Sequence, residues 1–91
     1  MMQRAAAPVV KVLASQTFSG IDTIKWQKIE NRAALSGIPI AKPSGRFSVM
    51  SNTVRWSLVG NALTIDVIEA TYMPAEDVLS FVTDLISKAI A

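Results

Sequence analysis

Arg55, Ser57, Thr64 and Asp66 are the residues with the most chemistry to offer, and their spacing brings them together. They lie in VRWSLVGNALTIDV (54–67). There Gly60-Asn61 separates two runs that alternate apolar and polar residues, the pattern of a two-residue hairpin turn. Such a turn sets the register: Val59 faces Ala62, Ser57 faces Thr64, Trp56 faces Ile65 and Arg55 faces Asp66. One face of the hairpin is then Val54, Trp56, Leu58, Leu63, Ile65 and Val67. The other is Arg55, Ser57, Thr64 and Asp66, with opposite charges directly across the ladder. RFSVMS (46–51) alternates in the same way, setting Arg46, Ser48 and Met50 outward and Phe47 and Val49 inward. Arginines with interspersed hydroxyls on a rigid sheet suit contact with phosphate and sugar. Lys25 joins this set if its own segment is a strand of the same sheet.

Other chemistries find little support. The chain has no His and no Cys, so the usual bases, thiol nucleophiles and zinc ligands are missing. Its seven carboxylates fall mostly where a helix surface is expected, and Asp66 faces an arginine rather than a substrate. SGIPIAKPSG has glycines but neither the spacing nor the following helix of a phosphate-binding loop. No catalytic residue, metal, cofactor or small-molecule substrate is therefore expected, and the protein reads as a non-enzyme. Trp26 and Trp56 read as core residues rather than platforms for stacked bases, since Trp56 falls on the apolar face.

The elements that would position these residues make one domain over residues 1–91. A chain of this length buries only about 60–65% of its unfolded surface, yet 51% of its residues are apolar. With no disulfide to staple it, an oligomer that shares a core is expected. No apolar run is long enough to span a membrane. Lys11 and Pro8 interrupt the N-terminal apolar stretch and no good cleavage site follows, so a signal peptide is not expected. The net charge of +2 hides an asymmetry. Arg4, Lys11, Lys25, Lys28, Arg32, Lys42, Arg46 and Arg55 stand against Asp22 and Glu30 in the first 61 residues. Lys88 alone stands against Asp66, Glu69, Glu76, Asp77 and Asp84 in the rest. Such a division hints at a polyanion partner, although a solvated basic face would look the same.

PVVKVLAS (8–15) is short and β-branched and reads as a strand, with a turn at 16–20. IDTIKWQKIE (21–30) alternates, Ile24 and Trp26 against Lys25 and Gln27, and reads as a second strand. NRAALSG (31–37) is a short strand or one helical turn, and IPIAKPSG (38–45) a loop. The expected fold is α+β: an antiparallel meander of about five to six strands over 8–69, then one amphipathic helix over 74–90. Pro74 suits the first helical position, and Glu76, Asp77 and Lys88 match the helix dipole. The apolar face of this helix, which includes Val78, Phe81, Val82, Leu85 and Ile86, is wider than one sheet requires. A second surface is expected to cover it, in a homodimer or as the lid of a small monomer.

Strand, turn, strand, short strand, loop, antiparallel strands and a terminal helix is an element order similar to that of single-stranded RNA bacteriophage coat proteins. RAALSGIPIAKPSGRFSVMS resembles that family's small-residue segment and the loop entering its central strands. ALTIDVIEATYMPAEDVLSFVTDLISKAI resembles its last strand, polar turn and helix. The chain departs from the family in the tight turn at Gly60-Asn61, in its single terminal helix and in its shorter length. The resemblance implies a capsid protein: a homodimer with sheet and helix shared between subunits, assembled in the host cytoplasm into a virion shell. It implies single-stranded RNA as the partner of the inner sheet face, contacted by Lys25, Arg46, Ser48, Thr53, Arg55, Ser57 and Thr64. It also implies a dimer interface at Val78, Phe81, Val82, Leu85 and Ile86. A different reading of the same residues is a dimeric α+β interaction module, an adaptor or chaperone, that binds no nucleic acid.

Overall fold

The structure, a computed structural model, describes residues 11–41 and 43–91. The elements run β1 (Ala14–Phe18), α1 (Thr23–Leu35), β2 (Ser44–Val49), β3 (Asn52–Val59), β4 (Ala62–Glu69) and α2 (Ala75–Ile90). The four strands form one antiparallel sheet in the order β1-β4-β3-β2. The class is α+β, as expected, but the described residues hold four strands and two helices rather than five to six strands and one helix.

The segment 21–30 is where the sequence reading and the structure part. It begins a 13-residue helix, not a strand. The Asp22 carboxylate accepts from the Lys25 N–H at 2.8 Å and caps the first turn. Trp26, Ile29 and Ala33 form the buried stripe, and the Trp26 indole N–H donates to Glu30 one turn on, at 2.8 Å. The helix stops at Ser36-Gly37. Gly37 has φ +72°, and the Gly37 and Ile38 N–H groups donate to the Ala34 and Ala33 carbonyls. That pair of hydrogen bonds is a Schellman stop. NRAALSG is therefore the end of this helix. A second correction concerns β1, which covers Ala14–Phe18, so residues 16–18 are strand rather than turn. Pro8, read as a strand start, lies outside the described residues.

The hairpin register comes out as read. Arg55 pairs Asp66, Trp56 pairs Ile65, Ser57 pairs Thr64 and Leu58 pairs Leu63. Of the two turn residues only Gly60 has positive φ (+62°), the pattern of a type II′ turn. The core lies between the sheet's apolar face and the two helices. Val54, Leu63, Ile65 and Val67 from the strands meet Ile29 and Ala33 from α1, and Val78, Val82 and Ile86 from α2. Each fully buried Val, Leu or Ile side chain among these contributes about 1.5–3 kcal/mol. Both tryptophans are buried in this core, as expected.

The over-wide apolar face of α2 finds its second surface within the chain. α2 packs on β1 and β4 and also against α1. With both helices on one side, the other side of the sheet carries no layer of secondary structure among the described residues.

Candidate nucleic-acid interface

The uncovered sheet face is ordered in rows, because paired residues in a sheet point the same way. One row crosses all four strands as Thr17, Thr64, Ser57 and Ser44, hydroxyls throughout. Thr17 and Thr64 share a hydrogen bond of 3.1 Å. The next row is Ser15, Asp66, Arg55 and Arg46. Asp66 accepts from the Ser15 hydroxyl at 2.7 Å and from Arg55 Nη2 at 2.8 Å and Nε at 3.3 Å. Ser48 and Thr53 pair in the row beyond, and Thr53 Oγ1 donates to Glu69 at 2.8 Å. A bulge in the β3–β4 ladder brings Glu69 to that position.

Arg46 and Arg55 are thus cross-strand partners, but only Arg55 has a carboxylate partner. Arg55–Asp66 is the single ion pair among the described residues. Arg46 is exposed and faces Arg55 across β2–β3. The two arginines, Ser44, Ser57, Thr64 and Asp66 line an open depression of about 500 Å³. Arg46 also borders a smaller one with Lys11, Thr53, Ile68 and Glu69.

Of the residues read from sequence as RNA contacts, Arg46, Ser48, Thr53, Arg55, Ser57 and Thr64 share this face. Lys25 does not. It sits on α1, in the layer that covers the opposite side of the sheet, because its segment is helical. The charge asymmetry along the chain is likewise not an asymmetry between faces, since Lys25, Lys28 and Arg32 belong to α1. Ser15, Thr17 and Ser44 were missed. The alternation in ASQTF was the available signal for the first two, and extension of the RFSVMS strand by two residues for the third.

Of the residues read as a dimer interface, Val78, Val82, Leu85 and Ile86 are buried in the chain's own core, while Phe81 remains 44% exposed. Among the described residues no cluster of acidic side chains could hold a metal ion, and no helix is long and apolar enough to cross a membrane.

The chain matches no protein-family model, and neither the curated proteins nor the solved structures yield a match.

Proposed function

We propose that the uncovered sheet face binds the phosphate backbone of single-stranded RNA, and that the protein works as a non-enzymatic structural subunit. The observation that carries this reading is the Arg46–Arg55 pair beside the row of hydroxyls. Like charges directly across a ladder are unfavourable, and an anion seated between them removes the cost. The hydroxyls of Ser44, Ser57 and Thr64 supply hydrogen bonds to phosphate and ribose oxygens.

Trp56 borders the depression but is only 4% exposed, so base stacking has no part in this binding and sequence preference is weak. With Arg55 paired to Asp66, one unpaired arginine per subunit gives low affinity. Useful affinity comes from many subunits engaging one strand. That is the arrangement of a coat that packages RNA, and it is the form in which we propose the protein acts, with the sheet face turned toward the genome.

The test is purification without nuclease, followed by size-exclusion chromatography, the ratio of absorbance at 260 and 280 nm, and negative-stain microscopy. Uniform particles with nuclease-protected RNA are expected. A nucleic-acid-free species that ignores added RNA at low salt contradicts the proposal. That outcome would favour the interaction-module reading, for which the exposure of Ile24, Leu35 and Phe81 on the helical side is the supporting observation.

A further inference from the structure

The hydroxyl groups of the sheet face are not equally free. Ser15 donates to Asp66, Thr53 donates to Glu69, and Thr17 and Thr64 bond each other. Among the described residues the Ser44 and Ser57 side chains make no hydrogen bond, and the two are direct cross-strand partners. Each such hydroxyl has one donor and two acceptor positions to offer. Ser48, on the far side of Arg46, is free as well, but its partner Thr53 is spent on Glu69. A matched pair of free hydroxyls therefore forms on one side of Arg46 only.

The ladder holds that pair close together. The Leu58 N–H donates to the Pro43 carbonyl at 2.8 Å, which makes 43–58 a hydrogen-bonded pair. By alternation, 44–57 and 46–55 are non-hydrogen-bonded pairs, the kind whose side chains stand nearest. Ser44 and Ser57 thus sit side by side, two residues or about 7 Å along the strands from the arginine pair. All four residues line the same open depression of about 500 Å³. The step from Arg46 to the serines is within the span of a single nucleotide, so a phosphate on Arg46 sets its ribose over them.

RNA differs from DNA at that point by the 2′-hydroxyl, which both donates and accepts. Two adjacent serine hydroxyls can do both in return. A deoxyribose presents only C–H there and leaves the serines to water. We infer, on the premise that Arg46 holds a phosphate, that Ser44 and Ser57 read the ribose 2′-hydroxyl and make the face select RNA over DNA. The selection is for the sugar and is blind to the base. It involves no charged group, so it changes affinity without releasing a counterion and leaves the salt dependence as it is.

The experiment is fluorescence anisotropy with three labelled uridine oligomers of about 20 nucleotides, long enough to cover a single-strand site. One is ribose, one 2′-deoxy and one 2′-fluoro, the last keeping an RNA-like sugar pucker without the hydroxyl. The parent is expected to bind the ribose oligomer at least about fivefold more tightly than either of the others, the worth of one neutral hydrogen bond. All three should share one salt slope. In the double variant Ser44→Ala, Ser57→Ala the ratio of ribose to deoxy affinity is expected to fall to about one. Ser44 is exposed and Ser57 half-buried, and circular dichroism checks the fold of the variant. The comparison of oligomers on the parent needs no variant at all. Equal, salt-sensitive binding of ribose and deoxy oligomers overturns the inference and leaves the phosphate reading standing. A 2′-fluoro oligomer that binds like the ribose one also overturns it, since sugar shape and not the hydroxyl is then read. Failure of every oligomer to bind overturns the phosphate reading itself, and the sugar reading with it.

Discussion

Arg46 and Arg55 stand directly opposite each other on β2 and β3, and only Arg55 has a carboxylate partner, Asp66 at 2.8 Å. A like-charge cross-strand pair lowers stability by a few tenths of a kcal/mol, and removing one charge returns it. Arg46→Thr keeps a β-favouring side chain on an exposed strand position. In buffer without phosphate or nucleic acid it is expected to raise stability by about 0.5 kcal/mol, read as a shift in urea midpoint. The same variant should bind RNA less well. A variant both less stable and equally able to bind would show that the pair is not held apart for a ligand.

Asp66 limits the anion site that Arg55 helps to build. It is 9% exposed and holds Arg55 and the Ser15 hydroxyl together. Asp66→Asn removes the negative charge while keeping the shape. The expected result is opposite in sign for two measurements: stability falls by about 1–3 kcal/mol as the ion pair is lost, while RNA affinity rises because Arg55 is freed. Affinity that falls along with stability would count against a phosphate role for Arg55.

Gly45 has no side chain because Trp56 occupies the space. A Cβ there would lie 2.5 Å from the far edge of the indole. That ring cannot swing away cheaply, since its N–H donates to the Ala41 carbonyl at 2.6 Å and it sits beside Phe47 with centroids 5.9 Å apart. Gly45→Ala is expected to cost about 1–3 kcal/mol of stability by overpacking, measured by chemical denaturation. An unchanged midpoint would mean that the edge strand β2 is looser than described.

The turn between β2 and β3 carries backbone strain. Met50 and Ser51 have φ of +50° and +63°, a conformation that costs an L residue about 1–2 kcal/mol. Buried Asn52 holds the turn: its amide donates to the Met50 carbonyl at 2.9 Å and its oxygen accepts from the Thr71 N–H at 2.7 Å. Replacing Met50-Ser51 with Asn-Gly should stabilise the protein by about 1 kcal/mol. Asn52→Ala should destabilise it by about 2–3 kcal/mol, because the Thr71 N–H loses its partner.

What could be read in the sequence follows from the range of the interactions involved. The β3–β4 register was legible because a tight turn and strict alternation decide it within fourteen residues. α2 was legible from Pro74, its first-turn acids and its stripe. α1 was not, because Ile24, Lys25, Trp26 and Gln27 alternate over four residues and imitate a strand. The longer spacing Trp26–Ile29–Ala33, the cap at Asp22 and the Ser36-Gly37 stop carry the helical signal, and Ile24 proves to be 68% exposed. From that error came the misplacement of Lys25. It also hid the element of the same chain that packs against α2, which is α1. Which element covers which is a long-range choice, and no local pattern states it.

RNA binding at the sheet face is tested most directly by fluorescence anisotropy of a labelled single-stranded RNA titrated with protein at several salt concentrations, comparing the parent with Arg46→Glu. The parent is expected to bind, weakening with salt by a log–log slope of about −0.7 per subunit, for the one phosphate neutralised by the unpaired Arg46. Arg46→Glu should weaken low-salt binding at least about tenfold and flatten that slope. Binding and slope unchanged in Arg46→Glu would contradict the account, since whatever bound the RNA would lie elsewhere on the molecule.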